Sequence, residues 1–507
     1  MPSDDAPESS PHGKKTAGDL TSMDLRTSVI TLALPAAMRT GLQSVIEMVS
    51  LMIVGSLGAE AIAAVGMAKR LVMVATAVLQ ALSVGATAVV ARLIGAGDNE
   101  GARKVVNQVV LLALVIGICI AVAGNLSATA VMRGMMTLQE VPDAEVVQQG
   151  ATYLRILSSS YVVAVMLFMA NALFQGAGDM KTPLYLMTAI NIINVVLAYV
   201  LVHGIGPFPT MGVAGAGLAA AIARGSGGLA ALWILATNKS GIGMDTKKIF
   251  AIDWKLLGAV IRVGVPAGIE NFVRQGSQIL YTIIIAGMGT AAMAANSIAM
   301  SIQSLAFMPG FGFSLAATAL VGQNLGAKQP SRAEKAGYTS LRYAMILACL
   351  MSVIFVVAPR LITQLYTNDP EVTALTVTCL RIIAISLPSL AMVMVFSGGL
   401  RGAGDTRFVM FTTLAGNWGV RLVGSYVLGM HFGLGLPGVW IAMAGDQIAR
   451  GFLLLARFRR GSWKSIELFR PGRKKTSSPG VRFHAAPASQ PTSTATPPTD
   501  ARNDDAS

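Results

Sequence analysis

Twelve stretches of the chain are apolar over the length a helix needs to cross a lipid bilayer, at 29–54, 61–91, 105–126, 152–175, 182–203, 212–236, 259–286, 291–321, 336–358, 374–399, 407–430 and 436–457. That length is about 20 residues at roughly 1.5 Å of rise each. In hydrocarbon every backbone N–H and C=O must be satisfied within the segment, so such runs fold as helices and not as loops or open strands. The expected class is an all-α integral membrane protein. Only 13% of the residues are charged, against about 25% in soluble domains.

The charges between the runs set an orientation, because Lys and Arg collect on the side that is not translocated. Arg92, Arg103 and Lys104 follow the second run, and Lys239, Lys247, Lys248 and Lys255 the sixth. Lys328, Arg332 and Lys335 follow the eighth, and Arg457, Arg459, Arg460 and Lys464 the twelfth. The alternate loops 204–211, 287–290 and 431–435 hold no Lys or Arg, and the longer ones lean acidic, with Glu140, Asp143, Glu145, Asp369 and Glu371 against Arg133 and Arg360. Both termini are therefore expected to be cytoplasmic in a multi-pass protein of a cell (inner or plasma) membrane. The formal net charge of +14 is accounted for by these topology signals, so no nucleic-acid partner is expected. Cys119, Cys349 and Cys379 fall inside apolar runs without metal or disulfide spacing and read as small core residues. Residues 1–25 are polar, with no cleavable leader pattern, and 465–507 are rich in Pro, Ser, Thr and Ala. Both are expected to be disordered cytoplasmic tails.

The two halves of the chain repeat. Leu34-Pro35-Ala36 matches Val265-Pro266-Ala267, and Ala86-Thr87-Ala88 matches Ala317-Thr318-Ala319, in each case 231 residues on. Gln175-Gly176-Ala177-Gly178-Asp179 matches Arg401-Gly402-Ala403-Gly404-Asp405 at 226. Six runs per half is an even number, so both halves enter the membrane from one side and are related by a pseudo-two-fold along the membrane normal. This predicts an N-lobe at 26–238, a cytoplasmic linker at 239–258 and a C-lobe at 259–464. Paired bundles of this kind can enclose a transport cavity. No GxxxxGK[ST], HExxH or His/Cys cluster is present in the sequence, which points to a transporter driven by an ion gradient and away from an enzyme or an ATPase.

Leu34-Pro35, the run Val54-Gly55-Ser56-Leu57-Gly58-Ala59-Glu60-Ala61, the duplicated Gly-Ala-Gly-Asp loops and Met308-Pro309-Gly310-Phe311-Gly312-Phe313 leading into Val321-Gly322-Gln323-Asn324-Leu325-Gly326-Ala327 form one set. With these residues the chain resembles, across 26–464, the multidrug and toxic compound extrusion (MATE) family. Val265-Pro266-Ala267-Gly268-Ile269-Glu270-Asn271, with Gly438 to Met443, is similar to its DinF-like side. The resemblance implies a V of two lobes, alternating access and exchange of amphipathic or cationic compounds, drugs or metabolites, for H+ or Na+. No other cofactor is implied, and a monomer is expected. Three positions depart from the family pattern: Ser50 and Ala198, which follows Asn194 by four residues, stand where relatives carry Asp, and Arg274 stands where many carry Glu.

Ionisable residues inside apolar runs are costly, at about 2.5–3.5 kcal/mol each near the bilayer centre on insertion scales, so each calls for a role. Glu47 lies one helical turn before Ser50 and is placed to replace the missing carboxylate. Glu270 occupies the repeat position of Arg39, with Arg274 at i+4, and Asp446 has Arg421 and Arg450 as candidate partners. Two readings stand for these groups: substrate or coupling-ion sites supported by the arginines, or ion pairs that only clamp helices. Ser50 and Asn194 are further candidates. Asp179 and Asp405 read as helix N-caps or salt-bridge anchors at the cytoplasmic face. The expected function is cation-coupled multidrug antiport. The alternative is a flippase for a lipid-linked saccharide, which would call for a more cationic cavity.

Overall fold

The computed structural model describes residues 20–136, 144–238 and 241–468. The expected tail residues 1–19 and 469–507, the linker residue Lys239, and the acidic loop residues Glu140 and Asp143 lie outside the described residues.

Every expected run is helical. α1 (Leu25–Gly55), α2 (Ala59–Gly95), α3 (Asn99–Met136), α4 (Ala144–Ala177), α5 (Lys181–His203) and α6 (Gly212–Ala236) form the first half. α7 (Trp254–Ala286), α8 (Thr290–Gly326), α9 (Pro330–Val357), the short α10 (Pro359–Gln364), α11 (Pro370–Ala403), α12 (Thr406–Leu414) and α13 (Gly435–Arg460) form the second. Among the described residues eleven helices are long and apolar enough to cross a membrane. The remaining run, 407–430, starts as the nine-residue α12 and continues in π-helical turns over Ala415–Leu422 and Ser425–His431. The helices outlast their apolar runs. α3, with 38 residues, is about 57 Å long at 1.5 Å per residue, which exceeds the roughly 45 Å of a bilayer with its headgroups.

The repeat is visible in the backbone as well as in the residues. α2 and α8 begin and end 231 positions apart, and α4 and α11 begin and end 226 apart. Each element is also entered or left through the same strained turn: Gly58 and Gly289, before α2 and α8, have φ of 107° and 99°, and Gly178 and Gly404, after α4 and α11, have 84° and 88°. Glycine holds these positions because a Cβ there meets its own carbonyl.

The apolar cores show how the two lobes meet. The tail face is taken here as the one bearing the start of α1 and the end of α13. In its half of the molecule, one cluster joins Leu79, Val89, Leu173 and Phe174 of the N-lobe to Ala259, Val260 and Val263 of α7. A second joins Val29, Leu32, Ala33 and Ala36 of α1 to Ala316, Ala319 and Leu320 of α8. In the far half, each cluster among the described residues stays within one lobe, one running from Ile53 to Ala219 and the other from Tyr281 to Met443. Among the described residues the two lobes therefore share cores in the tail-face half and pack separately in the far half. Small residues make that contact possible: a methyl group added to Gly95 would overlap the backbone of Gln323 on α8, and one added to Gly326 would overlap the backbone of Arg92 on α2.

A short segment after α13 straps the same face. Trp463 is fully buried, stacks on Phe458 at 4.6 Å between ring centroids and donates its indole N–H to the Phe458 carbonyl at 2.8 Å. Lys464 pairs with Glu334 at 2.6 Å, and Leu468 is buried in the cluster shared by the N-lobe and α7. One guanidinium nitrogen of Arg92 donates to the carbonyls of both Ala403 and Ile466, at 3.1 and 3.0 Å. The tail expected from residue 465 thus starts with packed chain, because Ile466 and Leu468 supply apolar side chains next to a groove they can fill. Trp463→Ala is expected to cost about 3–5 kcal/mol, read as a lower apparent melting temperature of the purified protein in detergent.

Candidate substrate and ion site

In the N-lobe, α1 and α5 bring together two of the polar candidates. Ser50 Oγ donates to Asn194 Oδ1 at 3.4 Å, which is long for a hydroxyl bond. Ala198 is buried one turn further along α5. Glu47 is on α1, and its side chain lies outside the described residues. Arg39, two turns before Glu47 on α1, meets Gln175 of α4; with the amide oxygen turned toward the guanidinium, Gln175 accepts at 2.9 and 3.3 Å.

The C-lobe carries the matching clasp with a carboxylate in place of the arginine and an arginine in place of the amide. Glu270 occupies the repeat position of Arg39, and Arg401 that of Gln175. Glu270 Oε1 accepts from Arg401 Nη2 at 2.5 Å and from the Thr413 hydroxyl at 3.4 Å. The i,i+4 pairing with Arg274 expected from sequence is not the one formed; Arg274 donates to Asn271 instead. Glu270 is buried between α7 and its neighbours, whereas Arg274 is exposed one turn on. A buried carboxylate needs a donor that is itself inside the lobe, and α11 supplies it.

Asp446, fully buried on α13, does take both of its expected partners. Its two oxygens accept from Arg450 Nε and Nη2 at 2.7 and 2.6 Å, and Oδ2 also accepts from Arg421 Nη2 at 3.0 Å. The first is a bidentate fork, the stronger form of guanidinium–carboxylate bond. Arg421 reaches the site from the π-helical turn Ala415–Leu422. Gly416 makes room on that turn, since a methyl there would overlap the Asp446 carboxylate and the Arg450 side chain. Single π turns inside α-helices rotate the following side chains and recur at functional sites.

Among the described residues the C-lobe therefore gathers three inward guanidiniums, Arg401, Arg421 and Arg450, around two carboxylates, with the exposed Arg274 beside them. Arg274 is within electrostatic reach of Glu270, Arg401 and Arg450, so the groups form one field. Its balance is positive. Arg224, at the repeat position of Arg450, sits in the N-lobe beside Tyr153 and Tyr161. Among the described residues no group of three or more His, Cys, Asp or Glu is placed to hold a metal ion.

Sequence reasoning did not single out Arg401 or Thr413 as partners of Glu270. The repeat held the signal for Arg401, which aligns with Gln175 just as Glu270 aligns with Arg39. The two loop aspartates play different parts: Asp179 Oδ1 caps α5, accepting from the backbone N–H of Lys181 and Thr182 at 3.1 and 2.9 Å. Asp405 pairs with Arg457 at 2.8 Å, and that guanidinium lies over the Phe408 ring.

The MatE family model matches residues 35–200 and 266–427, that is, both lobes. A probable multidrug resistance protein NorM of Thermotoga maritima is 29% identical over 441 residues, 87% of this chain and 94% of its own. The multidrug resistance protein PmpM of Pseudomonas aeruginosa is 26% identical, covering 86% of this chain and 92% of its own. Among solved structures, a MATE transporter in the straight conformation superposes with a TM-score of 0.81 at 22% identity, over 90% of this chain and all of the other. A MOP superfamily transporter from Pyrococcus furiosus, described as having a binding pocket of reverse polarity, gives 0.81 at 21% identity and the same coverage.

Proposed function

This chain belongs to the MatE family, and from that membership we propose that it is a secondary active multidrug exporter working by alternating access. Family membership makes it a multi-pass membrane transporter, not an enzyme. The proposed cargo is amphipathic or cationic small molecules exchanged for H+ or Na+, moved out of the cytoplasm by a monomer with both termini inside the cell.

The observation that carries this reading is the asymmetry of the lobe contacts. Bridging cores occupy only the tail-face half, while the far halves of the two lobes pack separately. With cytoplasmic termini, this is the conformation that releases cargo outward, and its counterpart requires the tail-face seam to part. Intramembrane carboxylates at Glu270 and Asp446, with Glu47 on α1, are the groups on which an ion gradient can act, at Glu270 and Asp446 through protonation that opens their ion pairs.

The test is dye transport in proteoliposomes under an imposed pH or Na+ gradient, comparing wild type with Glu47→Gln, Glu270→Gln and Asp446→Asn. Gradient-driven movement of ethidium, lost in at least one variant that folds, is the expected result. If neither gradient moves the dye, the exporter reading is wrong. The excess of C-lobe guanidiniums favours one second reading, a flippase for a lipid-linked saccharide phosphate. That activity would appear as movement of such a lipid between leaflets without any ion gradient.

A further inference from the structure

We propose that the arginine-rich interior of the C-lobe is a binding site for an acidic group, a carboxylate, sulfonate or phosphate, carried by an exported amphipathic molecule. The inference rests on the exporter reading and adds a substrate class to it. Glu270 and Asp446 are both taken up by guanidiniums, at 2.5 Å and at 2.6–3.0 Å. A buried carboxylate held by an inward guanidinium, or by two, has little attraction left for a cationic ligand. What the cluster still offers is positive charge and hydrogen-bond donors.

The donors are specific. Arg401 Nε and Arg421 Nε are buried without a hydrogen-bond partner, as is the hydroxyl of Tyr281, which lies within electrostatic reach of Arg421. Tyr281 is 1% exposed. Leaving a buried donor unmade costs about 1–3 kcal/mol, and more when the donor is charged, so Arg421 Nε and the Tyr281 hydroxyl, within electrostatic reach of each other, mark a place where an acceptor belongs. The Asn417 side-chain oxygen also lacks a partner, and its amide can turn to present N–H instead. Arg274 is the exposed member of the group. Beside it, the Trp418 indole of the π-helical turn donates to the carbonyl of Val273 on α7 at 3.0 Å and is 39% exposed, giving an aromatic surface for the apolar part of the ligand. Guanidiniums suit this task because their planar fork matches the oxygens of carboxylates and phosphates.

The test uses two dyes with the same xanthene frame, anionic carboxyfluorescein and cationic rhodamine 123, with full-length protein. Binding is followed by anisotropy in phosphatidylcholine nanodiscs and transport in proteoliposomes under both gradients. The expected result is saturable carboxyfluorescein binding that Arg274→Gln weakens by about tenfold or more, that Arg274→Lys largely restores, and that rhodamine 123 does not compete. Arg274 is exposed, so neither variant removes core packing. Transport of rhodamine 123 with no binding of carboxyfluorescein would overturn the inference and leave the exporter reading intact. Binding of carboxyfluorescein without gradient-driven transport of either dye would support the acidic-group site and sink the exporter reading. Loss of carboxyfluorescein binding when phosphatidylglycerol replaces part of the phosphatidylcholine would assign the site to a lipid headgroup and overturn its assignment to an exported molecule.

Discussion

Replacing Gly95 with leucine is expected to prise the lobes apart at the tail face and stop transport. Gly95 lies where the end of α2 crosses the end of α8, and even a methyl group there would overlap the Gln323 backbone. The obstacle is main chain in a packed helix, so it has no alternative rotamer to adopt. Overpacking of this kind costs about 1–3 kcal/mol even where neighbours can shift. Spent against the closed seam alone, that is a shift of about tenfold to a hundredfold toward the state open at the tail face. Gly326→Leu should act the same way, because its repeat position sets it against the Arg92 backbone. Spin labels on the tail-face ends of α2 and α8 would report a longer distance in both variants, and dye efflux would fall. Gly225→Leu is the control, since no atom lies within 4 Å of a Cβ built there. Unchanged distances in the Gly95 variant would mean that the seam is held by something other than this crossing.

The second large effect is expected at Asp446. Asp446→Ala leaves Arg421 and Arg450, with side chains 14% and 10% exposed, facing each other without their common counter-charge. Breaking one side of a buried ion pair costs about 3–5 kcal/mol, mainly through the unpaired charge it leaves. The variant should show a strongly reduced yield and a lower apparent melting temperature in detergent. Adding Arg421→Leu and Arg450→Leu to Asp446→Ala should recover much of that loss, since the triple variant leaves no buried charge at this cluster. A single variant as stable as wild type would show that water or another group already neutralises the arginines.

The sequence by itself determined the helices, their number and their division into two repeated lobes. These properties are local: an apolar run of about 20 residues must satisfy its backbone internally whatever surrounds it, and the offsets of 231 and 226 are readable without coordinates. Asp446 and its two arginines were also legible, because Arg450 is one turn away on the same helix and Arg421 is a scarce charge in the run before it. Glu270 was not. Spacing favoured Arg274 at i+4, but the partner is Arg401, 131 residues away on another helix. That choice depends on how α7 is rotated against α11, which packing between helices decides and no single helix encodes. The same holds for the π turns that carry Arg421 and for the face on which the two lobes share their cores. Each depends on main chain from distant parts of the sequence meeting at glycine-sized gaps, so only the tertiary structure could settle it.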